Sequence, residues 1–303
     1  MESNPASQPQ YVPRRYATPV FVPIRNLRYH CRAWGPADAP VLFLIHGVHD
    51  LSASWQFTVD ALQRDWRVIA PDLRGFGATQ WSGADTYWNR DYLADVWFLL
   101  DYFSPGRPVP LVGHSLGGSV AKCFAGLFPE RISRLVDVEG IGPPSAALAD
   151  TPARLRQWIE ALADPPPARQ YPDFAALAAR LQRESPGLTG ARAAFLARAW
   201  GVEQPDGRIL RRSDPAQRQP RPQLWRFEEE RTIWAGIRAP ALWIEGAQSR
   251  LVQELRGRPD GYEARLAAYP TVRRVLRIEG AGHNIHHDQP EALAAAIEEF
   301  LAD

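Results

Sequence analysis

Val109-Pro110-Leu111-Val112-Gly113-His114-Ser115-Leu116-Gly117-Gly118-Ser119-Val120 decides how this chain is read, because an apolar strand, a G-x-S-x-G turn and the start of a helix follow one another without a break. A serine hydroxyl attacks a carbonyl only when a base takes its proton and its oxygen stands clear of the backbone. A sharp strand-to-helix turn lifts it clear. Gly113 and Gly117 lie two residues to either side of Ser115, where a Cβ would collide as the helix doubles back along the strand. The helix opening at Leu116 aims its first amides at any oxyanion formed beside Ser115. The competing reading is a chance G-x-S-x-G in a glycine-rich loop, and the strand before it and the helix after it weigh against that.

Upstream, residues 41–45 are a continuous apolar run ending at His46-Gly47, as in a parallel strand buried on both faces. A helix is expected over 53–64, a second buried strand over 67–70, and a glycine-bearing loop over 71–77. Tyr92, Val96, Leu100 and Phe103 recur at helical spacing. Residues 20–22 and 27–34 alternate as two half-exposed strands of an antiparallel edge, and residues 1–18 read as a loosely attached arm. Downstream, 132–138 is a strand ending at Glu139-Gly140. Strand rhythm stops over 143–234, which is rich in Ala, Arg and Pro and reads as an inserted helical cap. It resumes with strands at 241–245 and 272–278, a helical segment between them and a closing amphipathic helix at 291–301. Residues 19–142 and 235–303 thus form an α/β core, a mostly parallel sheet with helices on both faces.

At 303 residues the chain is long enough for one large domain with an insertion, and a net charge of +1 gives no nucleic-acid or anionic-membrane surface. The polar, proline-rich N-terminus has neither a signal-like nor a membrane-spanning run, so a cytoplasmic protein without membrane insertion is expected, acting on a small molecule. Monomer and homo-oligomer both stay open. Cys31 and Cys123 offer no disulfide framework and no zinc spacing, and Cys123 reads as a small buried filler. No cofactor is called for.

The serine needs a base, and sites in such sheets lie at the carboxyl ends of the strands. His283, in Gly280-Ala281-Gly282-His283-Asn284, follows the last strand and is the expected base. His286 and His287, at the entrance to the closing helix, read as packing and surface residues, and His114 as a packed or hydrogen-bonded neighbour of Ser115. No metal site is expected. The oxyanion hole is expected from the backbone amides of Leu116 and Val48, with Gly47 allowing the turn and His46 supporting it.

His46-Gly47, Asp72-x-Arg74-Gly75-x-Gly77, Gly113-x-Ser115-x-Gly117 and Gly282-His283 stand in the order expected of the α/β-hydrolase family, which the chain resembles from Leu27 to Leu301 outside the insertion. Glu139-Gly140-Ile141-Gly142-Pro143-Pro144 is similar to the serine-hydrolase-like branch. The resemblance implies an eight-stranded sheet, a Ser-acid-His triad and a cap after the sixth strand. The family's acid usually follows the seventh strand, but Gly246-Ala247-Gln248-Ser249 puts Ser249 there. Some relatives carry the acid at the end of the sixth strand, which makes Glu139 the first choice. Asp137, about 7 Å deeper along the strand, comes second and Glu245 third. A plain strand-end carboxylate is the alternative reading of Glu139.

Related epoxide hydrolases and haloalkane dehalogenases attack with Asp where this chain has Ser115. Hydrolysis of a small to medium, largely apolar ester through an acyl-enzyme is therefore the expected chemistry. Amide, thioester, lactone and C–C bond hydrolysis use the same parts, and a ligand-binding protein of low turnover is the reading from another class. Trp81, Trp158 and Trp225 are expected to line an apolar pocket over Ser115, and the Arg-rich stretch at 207–231 reads as a solvated surface.

Overall fold

The computed structural model describes residues 10–303, and residues 1–9 of the expected arm lie outside the described residues. Strands β1 (Thr18–Ile24), β2 (Leu27–Trp34) and β3 (Val41–Ile45) lead into helix α1 (Gln56–Ala61), β4 (Arg67–Pro71), α2 (Asn89–Phe103), β5 (Val109–His114), α3 (Leu116–Leu127) and β6 (Ile132–Val138). The insertion follows, with α4 (Thr151–Ala163), β7 (Gln170–Tyr171), α5 (Phe174–Glu184), α6 (Gly190–Trp200), β8 (Gly201–Glu203), β9 (Ile209–Arg211) and α7 (Phe227–Trp234). β10 (Ala241–Gly246), α8 (Arg250–Leu255), α9 (Tyr262–Ala267), β11 (Val272–Ile278), α10 (Ile285–Asp288) and α11 (Pro290–Ala302) complete the chain.

Eight strands form one sheet in the order β1-β2-β4-β3-β5-β6-β10-β11. β2 is antiparallel to both β1 and β4, and every other adjacent pair is parallel. The apolar run of β3 splits by the strand period of two: Phe43 and Ile45 pack with Tyr92, Val96 and Phe124 of α2 and α3, while Leu42 and Leu44 pack with Val59, Leu293 and Ile297 of α1 and α11. Both faces are covered, as the sequence predicts for central parallel strands. The carboxyl ends of β3, β5, β6, β10 and β11 therefore open on one edge, where the turns carrying Gly47, Ser115, Glu139, Ser249 and His283 gather.

Three expectations need correction. Residues 10–17 are not loosely attached: the Tyr11 hydroxyl donates to Asp60, as do the amides of Arg14 (3.0 Å) and Arg15 (2.7 Å), and the Tyr11 ring packs edge-on against Phe57 and Phe195. The helix expected over 53–64 begins as a 3-10 turn, Ser52–Trp55, and stops at Ala61, because the Glu298 carboxylate on α11 takes the amides of Gln63 and Arg64, both at 2.8 Å. The insertion is not wholly helical, since β7, β9 and β8 form a small antiparallel sheet. Leu177, Leu181, Leu196, Trp200 and Ile209 pack it onto Leu51 and Phe57. α7 lies against α3 so closely that a Cβ on Gly126 would stand 2.1 Å from the Ile233 carbonyl, and Phe227 and Trp234 join the main core. No helix among the described residues is long and apolar enough to cross a membrane.

Candidate active site

Ser115 sits between β5 and α3 at φ 51°, ψ −115°, a left-handed conformation that a side chain rarely takes, held by its amide donating to the Val138 carbonyl at 2.9 Å. A Cβ on Gly117 would stand 2.3 Å from the Ile45 carbonyl, so only glycine lets α3 start this close to the end of β3. The turn carries the Ser115 hydroxyl to the His283 ring, with Oγ 2.9 Å from Nε2. His283 Nδ1 lies 3.0 Å from Glu139 Oε2. With Nδ1–H donating to the carboxylate, Nε2 is left as the acceptor facing the serine hydroxyl.

Glu139 is itself at positive φ, 56°. Its Oε1 accepts from the Gly246 amide and its Oε2 from the Ser249 hydroxyl, both at 2.7 Å. Asp137 is occupied elsewhere: it accepts from Lys122 Nζ at 2.7 Å and from the Gly140 amide at 2.9 Å. Lys122, the one lysine of the chain, also donates to the Gly140 carbonyl at 2.6 Å and lies over the Trp234 ring. This buried knot fixes the bend that turns Glu139 toward His283. Glu245 pairs at 2.9 Å with Arg256, the C-cap residue of α8.

The Leu73 amide donates to His46 Nε2 at 2.9 Å, so the ring proton sits on Nδ1 and reaches the Gly47 carbonyl at 2.7 Å. In a trans peptide the C=O and the following N–H point oppositely, so clamping the Gly47 carbonyl also fixes the direction of the Val48 N–H. A Cβ on Gly47 would approach Ser115 Cβ to 3.1 Å, which brings this backbone against the serine. The Leu116 amide is the first of α3 and adjoins Ser115 in the chain.

A family model described as the alpha/beta hydrolase fold matches residues 40–290. The chain belongs to the α/β-hydrolase fold family. A serine hydrolase-like protein of Danio rerio is 25% identical over 304 residues, covering 95% of this chain and 89% of that one. Epoxide hydrolase 4 of Mus musculus is 33% identical over 122 residues, 39% of this chain and 34% of that protein. Among solved structures, the thioesterase domain from the curacin biosynthetic pathway superposes with a TM-score of 0.83 at 26% identity, covering 93% of this chain and 99% of that domain.

In this α/β hydrolase His114, His286 and His287 are buried around the half-buried His283. His114 Nε2 donates to the His283 carbonyl at 2.9 Å and so pins the loop bearing that ring. Burial first, then His286 and His283, holds the His114 pKa well below its usual value. His286 and His287 are not surface residues: both are buried, with His286 Nε2 3.0 Å from Asp50 Oδ2 and His287 Nδ1 3.1 Å from Ser185 Oγ. Asp50, His286 and His287 offer donor atoms within 4.8 Å of one another, a grouping of metal-binding type that linear spacing did not reveal. The hydrogen bonds made there tie the insertion to the loop that carries His283. Cys123 is buried and donates to Glu230 at 2.6 Å; burial and then Glu230 push its thiol pKa up.

Two cavities meet Ser115, of about 480 Å³ and about 330 Å³. Trp225 lines the larger one and Trp200 the smaller. Trp81 and Trp158 line neither. Trp81 is exposed, and the Trp158 indole donates to Thr86 Oγ1 at 2.9 Å. Sequence alone shows that a tryptophan lies in the insertion, not which wall it faces.

Proposed function

We propose that this chain is a serine hydrolase that cleaves a small to medium ester through an acyl-enzyme. The observation that carries the reading is the single ring of His283 standing 2.9 Å from Ser115 Oγ and 3.0 Å from Glu139 Oε2. Ser115 Oγ attacks the ester carbonyl as His283 Nε2 takes its proton, and Glu139 stabilises the imidazolium through Nδ1–H. The amides of Val48 and Leu116 receive the oxyanion. Collapse expels the alcohol, which takes the proton from Nε2. Water, deprotonated by the same nitrogen, then attacks the acyl-serine; collapse breaks the bond to Ser115 Oγ, which takes the proton back from Nε2 as the carboxylic acid leaves. The likeness to a thioesterase domain favours a thioester as a second acyl donor for the same steps.

The test combines short 4-nitrophenyl esters with a fluorophosphonate probe. Labelling at Ser115 with many turnovers is expected, and Ser115→Ala should remove both while the circular dichroism spectrum stays the same. Labelling that persists on another serine would overturn the assignment. Tight ligand binding without turnover would favour a binding protein instead.

A further inference from the structure

Arg156, Arg180, Arg192 and Arg208 pair with Glu160, Glu184, Glu291 and Asp206. Arg154 and Arg221, on the wall of the larger cavity beside Ser115, make no ion pair with any carboxylate among the described residues, nor do Arg169 and Arg211 on the wall of the smaller one. The carboxylates on those walls are already engaged. Glu139 is held by Gly246, Ser249 and His283, Asp50 by His286, and Glu184 by Arg180. Positive charge is therefore left over on both sides of the serine in a chain whose net charge is only +1. His49, on the smaller cavity, registers it: burial, followed by Arg211, Arg169, Arg218 and Arg221, lowers its pKa to about 4.

We propose that the substrate carries an anionic group of the carboxylate or phosphate type, and that Arg221 and Arg154 receive it in the larger cavity; this rests on the serine-hydrolase reading. A planar guanidinium presents paired N–H donors that match either anion, and a half-buried wall weakens solvent screening of the attraction. Arg221, in the stretch expected to be a solvated surface, thereby supplies part of the selecting charge.

Mono-4-nitrophenyl glutarate and 4-nitrophenyl pentanoate differ by one charge at similar length. 4-Acetoxybenzoate and its methyl ester place the same difference on the leaving group. For at least one pair, kcat/KM of the anionic member should exceed that of the neutral one by about tenfold at low salt, and the ratio should shrink as salt is added. Arg221→Gln and Arg154→Gln should each cut that ratio several-fold, while Arg208→Gln, which removes a charge from an exposed turn of the same segment, leaves it in place. Ratios near one for both pairs in the wild type, or a ratio untouched by either cavity variant, would overturn the proposal. If none of the esters is hydrolysed, the serine-hydrolase reading fails, and calorimetry on Ser115→Ala with glutarate and with inorganic phosphate decides the anion site separately. Binding of either that weakens in Arg221→Gln supports the site; binding of neither sinks it.

Discussion

Ser249 Oγ donates to Glu139 Oε2 across 2.7 Å, so the residue in the place where relatives usually carry the acid serves the carboxylate that ends the preceding strand. Three donors converge on Glu139: the Gly246 amide on one oxygen, and the Ser249 hydroxyl and His283 Nδ1–H on the other. Glu139→Gln keeps the shape and removes the charge that orients and stabilises the imidazolium, so kcat should fall by roughly 10⁴ with KM little changed. Asp137→Asn and Glu245→Gln, assayed in parallel, should not match it. Ser249→Ala leaves the carboxylate in place with one tether fewer, and a loss of about tenfold is expected, restored in Ser249→Thr. Equal loss in Ser249→Thr would show that the hydroxyl is not the operative feature.

Acid should weaken the fold in a window set by buried histidines. Burial, reinforced for His286 by His283 and His46 and for His287 by His286, lowers both pKa values from 6.5 to about 3. The folded pKa lies below the unfolded one, so between these limits the unfolded chain binds more protons. Stability is then full above about pH 6.5 and drains as pH falls toward 3. Thermal unfolding between pH 7 and 4 should show Tm falling, with a shallower fall in His287→Gln. Parallel slopes in the two proteins would assign the acid lability to other groups.

The turn at Ser115 and the placement of His283 beside it are legible because their signals are local: glycines two residues from Ser115, and a histidine just past the last strand. Glu139 comes from the family resemblance, which allows the acid at the end of the sixth strand when the usual position holds Ser249. What stayed hidden depends on contacts between distant parts of the chain. His286 finds Asp50 236 residues away and His287 finds Ser185 102 residues away, and nothing in a His-His pair ahead of a helix announces either partner. The docking of Tyr11 on Asp60 is of the same kind. Lys122 gave one faint signal, a lone lysine on a helix that otherwise packs apolar side chains against the sheet.

That lysine should be hard to replace. Its ammonium is fully buried between Asp137, the Gly140 carbonyl and the Trp234 ring, and Lys122→Met would strand the Asp137 charge in the core. A loss of about 3–5 kcal/mol in urea unfolding is expected, largely recovered when Asp137→Leu is added, because the cost comes from the unpaired partner. If the double variant is no more stable than the single one, the pair is not the source of the loss.

Gly47→Ala tests the oxyanion backbone without replacing a catalytic side chain. The added Cβ would stand 2.8 Å from His114 Nδ1 and 3.1 Å from Ser115 Cβ, so the peptide bearing the Val48 amide must move. A shift of about 1 Å there should lower kcat by about 10²-fold and leave KM nearly unchanged, since an oxyanion donor acts in the transition state. A rise in KM at constant kcat would place the effect in substrate binding instead.

The decisive test of the relocated acid returns a carboxylate to position 249. Ser249 Oγ lies 2.7 Å from Glu139 Oε2, which lies 3.0 Å from His283 Nδ1, and an aspartate reaches one atom further than a serine. Ser249 also caps α8 by accepting from the Val252 amide, a task aspartate performs equally well, so the helix should tolerate the change. Ser249→Asp alone would set two carboxylates side by side, and its activity should drop through their repulsion. In Glu139→Gln/Ser249→Asp the neighbour is instead an amide, which can donate to the new carboxylate and hold it toward His283. The double variant should therefore exceed Glu139→Gln in kcat by at least about tenfold, although each single change is harmful. That non-additivity is the signature of two side chains serving one function. A folded double variant no faster than Glu139→Gln would mean that only the sixth-strand position can orient His283.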